Sequence, residues 1–348
     1  MSDNIQLSDT VLYSTNNTHK KGMKYKMHIK AIHQKQKQII KEKQNDVNSL
    51  SPHTIKKYRI AFNNFNKYLE QENIQTLNTN KAKTIIESYA RHLKNNNYNQ
   101  NTINQYLILI IKLLNDTLDT ALNIKLKRVQ RGQPRYIEPE RYDIIINYLE
   151  TQSQQAHTTK DKKIIETDLT IINLLYNTGL RIHEALKLTI KELENAEIDA
   201  NNIHMLDIKG KGGTARTIFI MPSTYEILMQ YIQQYSTPGQ IYIFESDDKK
   251  LTSKGIHKQL TTRTIERHFK RIAKQLDTLY NYDKDDINNY TNQFKPHRLR
   301  ASFAINSNDR LNIADVKELL GHQSIITTQI YTRPKREKIA NDLAKAYL

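Results

Sequence analysis

The chain has no cysteine among its 348 residues, which excludes disulfides, thiolate nucleophiles and zinc sites built on cysteine. It also has no long apolar run. The longest stretch, Leu107 to Leu114, is interrupted by Lys112 and is far too short to span a bilayer. The opening residues, MSDNIQLSDT, lack the basic start and apolar run of a secretory signal, so the sequence predicts a cytoplasmic protein. Acid is scarce: 36 Asp and Glu against 53 Lys and Arg leave a formal net charge of +17 and an isoelectric point near 9.6. A chain so charged seeks polyanions, nucleic acid first and an anionic membrane surface second. GKGG around Lys211 lacks the full GxxxxGK[ST] pattern and does not lie between a strand and a helix, so no nucleotide site is expected. Neither HExxH nor an acidic cluster accompanies the histidines, so no metal or other cofactor is expected. No internal repeat of fixed period is present.

What is there is organised in two parts with an appended arm and tail, as the length suggests. Residues 1–48 carry little apolar periodicity, and Lys20 to Lys43 holds nine lysines against one acid, Glu42. This reads as a mobile or helical basic arm, serving either as a solvated charge run or as a contact to DNA backbone. From Ser51 the pattern changes. Ser51 can cap a helix and Pro52 suits its first turn, while Ile55, Tyr58, Phe62, Phe65 and Leu69 recur at three- and four-residue steps. Further helices are predicted over Lys81 to Leu93 and Asn101 to Leu118, making 49–128 a small helical domain. Its outer faces offer Lys56, Lys57, Arg59, Lys67, Lys94 and Lys112, which are either ordinary solvated charges or phosphate contacts.

KLKRVQRGQPR, residues 125–135, is basic and broken by Gly132 and Pro134, so 129–137 is read as a linker. Beyond it, helices are expected from Pro139, over Ile164 to Asn177, Thr224 to Tyr235, Thr262 to Leu276, His297 to Asn306, Ile313 to Leu320 and Ser324 to Tyr331. His204 to Ile220 alternates apolar and polar residues about GKGG, the pattern of a β-hairpin. The fold class is therefore mainly α with a small antiparallel β-sheet. Candidate DNA contacts are Lys56, Lys57, Arg59, Lys94, Arg128, Arg131 and Arg216.

Six residues carry the chemistry: Arg181 in TGLR, Lys211 in GKGG, His297 and Arg300 in PHRLR, then His322 and Tyr331 in LGHQSIITTQIY. Arg181 can clamp two phosphate oxygens while Glu184, one turn later, supports it, although such a pair alone is a common surface ion pair. Lys211 can protonate a departing oxygen, and His297 and Arg300 share one helical face. Singly these residues are unremarkable; a lysine in a turn and a tyrosine after Ile330 are commonplace, with 20 tyrosines in the chain. Their ordered series is what points to phosphodiester chemistry.

That series resembles the tyrosine recombinase (phage integrase) family, most closely its Xer-like bacterial branch, which shows TGLR, GKG, HxLR, LGH and a tyrosine nine residues after the last histidine. The resemblance covers residue 49 to the end and is most specific from Phe294 to Thr332. It implies a core-binding domain over 49–128 and a catalytic domain over 138–348, closing as a clamp around duplex DNA. It further implies that Tyr331 forms a 3′-phosphotyrosyl bond, that Arg181 and Arg300 hold the non-bridging oxygens, and that His297 and His322 donate hydrogen bonds or relay the tyrosine proton. Lys211 would protonate the 5′-oxygen, with neither metal nor ATP required. Four protomers would act on two duplexes, the tail with Ile339, Leu343, Ala344 and Tyr347 docking on a neighbour or packing on its own domain. Integration, excision or transposition of a mobile element is the favoured setting; Xer-type chromosome-dimer resolution is the alternative, ahead of a binding-only relative or a type IB topoisomerase. One departure stands out: the family has His and Thr after the second arginine, whereas this chain reads Arg300-Ala301-Ser302-Phe303. An altered packing is expected there.

Overall fold

A computed structural model of the chain describes residues 26–45, 51–118, 121–129, 134–209, 215–246, 255, 257–322 and 324–331. The chain divides into two compact units, Met1–Gln130 and Arg131–Leu348.

In the first unit, β1 (Lys26–His28) pairs antiparallel with β2 (Thr76–Asn78), Lys26 opposite Asn78. Around them lie α1 (Ile29–Asn45), α2 (Pro52–Gln71), α3 (Thr79–Asn95) and α4 (Gln100–Leu118). Helix α2 starts where the sequence said it would: Ser51 Oγ accepts the Thr54 N–H at 3.3 Å and Pro52 occupies the first turn. Asn78 likewise caps α3, accepting the Lys81 N–H at 2.9 Å. The core is aromatic. Phe65, Tyr68 and Tyr89 are buried, with Tyr89 centred 5.0 Å from Phe65 and 5.1 Å from Tyr68, each such ring contributing roughly 1.5–3 kcal/mol or more on burial.

The described part of the basic N-terminal stretch is no loose arm. Ile32 of α1 is fully buried in this core, with Ile39 and Ile40 packed at its edge. Gln36 is 4% exposed and exchanges two amide hydrogen bonds with Asn66 of α2, at 3.0 and 2.9 Å, so its burial leaves no polar group wanting. The expected boundary at residue 48 therefore falls inside a packed unit, while Lys30, Lys37 and Lys41 remain exposed. Residues 121–129, after α4, form neither helix nor strand, and Leu122, Ile124 and Leu126 pack against the same core.

The second unit opens with Ile137, 1% exposed in its core, then α5 (Pro139–Gln154) and α6 (Thr159–Thr178). Helix α6 starts five residues earlier than the apolar pattern suggested because Thr158 caps it, accepting the Asp161 N–H at 3.0 Å. Ile171, Ile172, Leu174 and Leu175 are all buried, which makes α6 the central helix of the unit. Short helices α7 (Ile182–Ala185) and α8 (Ile190–Glu194) lead into an antiparallel sheet of β3 (Glu197–Ile198), β4 (His204–Lys209) and β5 (Ala215–Ile220), in that order. Its hairpin register sets His204 opposite Ile220 and Lys209 opposite Ala215. Then come α9 (Pro222–Tyr235), α10 (Thr262–Leu279), α11 (Tyr290–Gln293), α12 (Pro296–Asn308), α13 (Ile313–Leu320) and α14 (Ile325–Gln329). Helix α14 stops short of the expected Ser324 to Tyr331. Its run Ile325-Ile326-Thr327-Thr328 is wholly β-branched and weakly helical, and Tyr331 consequently sits in a turn, its N–H donating to the Thr328 carbonyl at 2.9 Å.

Candidate active site

The site is assembled from the bottom of α6 upward. Gly179 ends that helix with φ of 63°, a left-handed value that glycine adopts freely, and a Cβ there would collide with the Phe303 ring. Two residues on, Arg181 opens α7. Its N–H donates to Glu184 Oε2 at 2.8 Å and its Nη1 to Oε1 at 2.8 Å, so the expected pair forms and Glu184 caps the helix that carries both. Glu184 is 6% exposed and takes a second guanidinium: Arg216 of β5 donates through Nη1 at 3.0 Å and Nη2 at 2.8 Å. Burial pushes the Glu184 carboxyl up, yet the hydrogen bonds from Arg216 and Arg181 outweigh it and hold the group down at about 2.

Arg300, on α12, is 7% exposed and donates Nη1 to the Gly179 carbonyl and Nη2 to the Leu320 carbonyl. Burial and the neighbouring Arg181 push its pKa down. Thus the central guanidinium is anchored by backbone, and its charge is left for something else. Ser302, two residues on, is fully buried: its hydroxyl accepts the Ile137 N–H at 2.8 Å and lies 2.9 Å from both the Ile137 and Arg298 carbonyls. Phe303 fills the space over Gly179 and joins Tyr331 against Ala304, Val316 and Leu320. The Ala301-Ser302-Phe303 departure is thus a packing feature, joining the start of the unit to the floor of the site.

His322 follows Gly321, which ends α13 with φ of 60°; a Cβ at Gly321 would lie 2.5 Å from Arg216 Cδ, so the last turn of α13 needs glycine there on both counts. The His322 ring lies with Nε2 3.4 Å from Arg300 Nη2 and Nδ1 2.9 Å from Thr328 Oγ1. Burial, then Arg300, Arg181 and Arg216, push its pKa down to about 4, so the ring is neutral at physiological pH. Tyr331 is partly buried with its ring centred 6.2 Å from that of His322. Burial raises its pKa, and Arg300 and Arg181 draw it back down. His297 lies one turn before Arg300 on α12 with its side chain exposed; burial of part of the ring, with Arg298 and Lys295, lowers its pKa.

The structure therefore brings Arg181, Glu184, Arg300, His322 and Tyr331 together, with His297 one helical turn before Arg300 on α12. Lys211 and Arg131 lie outside the described residues, as do Ile339, Leu343, Ala344 and Tyr347 of the tail. Lys56, Lys57, Arg59, Lys94 and Arg128 are all exposed. In the first unit, α3, α4 and the segment after α4 form an open pocket of about 810 Å³ whose lining includes Lys83, Glu87, Arg91, Lys94, Lys125 and Lys127. Arg216, expected as a DNA contact, is instead spent on Glu184, its side chain 8% exposed. Strand parity carried that information: Arg216 shares a face with Ile218 and Ile220, both in the core. Thr328 had no comparable signal.

Residues 135–338, more than half of the chain, match the phage integrase family. The chain belongs to that family. Residues 45–115 match the phage integrase N-terminal SAM-like domain. The protein is a tyrosine recombinase, an enzyme of site-specific recombination that cleaves and rejoins DNA through a phosphotyrosine intermediate. Among curated relatives, tyrosine recombinase XerC of Chlamydia caviae is 24% identical over 305 residues, 82% of this chain and 90% of its own. Tyrosine recombinase XerA of Pyrococcus furiosus is 24% identical over 295 residues, 76% of this chain and 94% of its own. The fold is shared with XerH site-specific recombinase bound to its difH substrate (TM-score 0.60, 19% identity, 88% of this chain and 82% of that one). It is also shared with the Tn1549 transposon integrase in complex with circular intermediate DNA (TM-score 0.63, 16% identity, 90% and 99%). Among the described residues, no helix is long and apolar enough to cross a membrane.

Proposed function

We propose that Tyr331 is the nucleophile that attacks the scissile phosphate of a duplex recombination site, leaving a 3′-phosphotyrosyl bond and a free 5′-hydroxyl. Arg181 and Arg300 meet the charge that builds on the non-bridging oxygens, His297 and His322 donate hydrogen bonds or relay the tyrosine proton, and Lys211 protonates the 5′-oxygen. A 5′-hydroxyl from a second strand reverses the step, so rejoining needs neither ATP nor metal. The observation that carries this reading is a charge imbalance: Arg181 and Arg216 share the single carboxylate of Glu184, while Arg300 donates to two carbonyls and faces the neutral ring of His322. A site with surplus fixed cations beside a phenol suits an anionic ester.

The DNA itself is held along its backbone by Lys56, Lys57, Arg59, Lys94, Arg128 and Arg131, with Arg216 acting through Glu184. Four copies act on two duplexes in the cytoplasm, joined by the tail after Tyr331. The setting is movement of a mobile element; the low identity to Xer relatives and the Ala301-Ser302-Phe303 departure support it over chromosome-dimer resolution. The test starts from DNA trapped covalently on the parent protein in cells, whose sequence supplies the site and decides between the two settings. A nicked duplex of that site then traps the adduct in vitro. The parent forms it and Tyr331→Phe does not; an adduct on the Phe variant at the parent level would refute the assignment.

A further inference from the structure

Each oxygen of Glu184 carries one hydrogen bond from Arg181 and one from Arg216. Oε1 accepts Arg181 Nη1 at 2.8 Å and Arg216 Nη1 at 3.0 Å, while Oε2 accepts the Arg181 N–H at 2.8 Å and Arg216 Nη2 at 2.8 Å. The two cations are not equivalent. The Arg181 side chain is 33% exposed, where a phosphate can reach it, whereas that of Arg216 is 8% exposed and spends both terminal nitrogens on the carboxylate. Arg216 Nε, moreover, is buried with no partner among the described residues. A side-on grip through Nε and one Nη would have used that donor, so the surroundings hold the end-on fork in place at the expense of a hydrogen bond. Those surroundings are identifiable: β5 pairs Arg216 with Ile208 of β4, and the Gly321 turn closes on the side chain, leaving 2.5 Å between a Cβ there and Arg216 Cδ.

We propose that Arg216 is a positioning residue for the chemical step: by clamping both oxygens of Glu184, it fixes the direction in which Arg181 presents its guanidinium to a non-bridging oxygen of the scissile phosphate. This deepens the reading of Tyr331 as nucleophile and Arg181 as phosphate clamp, and rests on it. Desolvation offsets much of what a buried ion pair gains, so the contribution of the fork is direction more than stability. Burial pushes the Glu184 carboxyl up, and the hydrogen bonds of Arg216 are the first influence against it. Without them each oxygen loses one of its two donors and the carboxylate is free to turn. Arg181, tethered to it, then offers its charge to the transition state over a spread of directions.

The test compares two esters. A nicked duplex carries at the scissile position either the ordinary phosphate or a methylphosphonate, whose methyl group replaces one charged oxygen and leaves the ester neutral. On the phosphate, Arg216→Met slows adduct formation by about tenfold while noncovalent DNA binding stays within about twofold of the parent. On the methylphosphonate the same variant falls behind the parent by less than about twofold, because less charge needs meeting. Added to Arg181→Ala, it costs less than about a further twofold, since its effect passes through that side chain. Arg216→Lys keeps the charge without the fork and stays near the methionine variant. A role confined to packing predicts equal losses on both esters and full additivity with Arg181→Ala; either result, or full recovery with lysine, would overturn the proposal. Should the lone carboxylate unfold the chain, Arg216→Met combined with Glu184→Gln leaves no charge stranded and shows the same dependence on the ester. Failure of the parent to form an adduct on either ester would instead strike the nucleophile assignment. In that event 15N spectra of the arginine side chains still decide: the Arg181 guanidinium, identified by its loss in Arg181→Ala, rotates slowly in the parent and fast in Arg216→Met, and equal rotation in both would refute the clamp.

Discussion

Among its described residues the second unit buries two carboxylates, and they settle at opposite ends of the scale. Asp168, on α6 and fully buried, accepts from His268 Nδ1 at 2.8 Å and Arg271 Nη2 at 3.3 Å, both on α10. Burial raises its pKa, and the hydrogen bond and charge of His268 with the charge of Arg271 do not overcome that. Burial raises Glu184 as well, but two guanidiniums at 2.8–3.0 Å overwhelm it. The difference lies in the partners: Arg271 is 48% exposed and screened by water, while Arg216 is 8% exposed and grips both oxygens. One cluster closes on itself and pins α10 to α6. The other gathers more cations than its acid can neutralise, and a cluster in surplus is one built to receive an anion.

Breaking the two clusters should therefore have unlike consequences. Arg181→Ala or Arg300→Ala should cut adduct formation by about 100-fold or more while leaving noncovalent DNA binding in place, since each removes charge stabilisation in the transition state. Asp168→Asn should leave cleavage within about threefold; an equal loss in gel-resolved adduct assays would dissolve the distinction. In stability, Glu184→Gln strands the buried Arg216 charge and should cost about 3–5 kcal/mol in urea denaturation, well above the cost of Asp168→Asn.

The acid profiles sharpen the contrast. Glu184 has its folded pKa depressed, so its stabilisation is complete above its ordinary value of 4.5 and drains away as pH falls toward about 2. Asp168 has its folded pKa raised, so its contribution is complete below its ordinary value of 3.8 and is lost as pH climbs through the elevated one. Denaturant midpoints between pH 2 and 6 should show Glu184→Gln flattening the acid loss and Asp168→Asn removing the opposing slope. The smallest effect belongs to the first unit, whose described residues hold no buried charge cluster of this kind. Replacing Lys30, Lys37 and Lys41 by Gln should flatten the plot of log affinity against log salt by up to about 0.9 per lost phosphate contact. An unchanged slope would leave α1 off the DNA.

Much of this was legible in the residues. Ile55, Tyr58, Phe62, Phe65 and Leu69 announce α2, the alternation about GKGG announces the β4–β5 hairpin, and Arg181 with Glu184 was readable as a pair from their spacing. Three things were not. The docking of α1 depends on Gln36 and Asn66 finding each other across 30 residues, and no local pattern encodes a pair of amides. The acceptors of Arg300 are main-chain oxygens, which every residue possesses and none advertises. Thr328 sits in a β-branched run that reads as strand or poor helix, and its hydrogen bond appears only once α13 turns His322 back over it. The parity of β5 did mark Arg216 as inward-facing; reading it as a basic surface residue weighed its charge over its position.

Helices α6 and α13 both stop at a glycine with positive φ, and both hand a terminal carbonyl to the same arginine. Each helix end carries roughly half a negative charge, so the counterweight to Arg300 is woven from peptide groups that no side-chain substitution can delete. The arrangement also locates the pivot of any motion. Leu320 is moored, so a swing of the tyrosine toward or away from its target has to hinge downstream of that anchor, inside the ten residues that separate it from Tyr331.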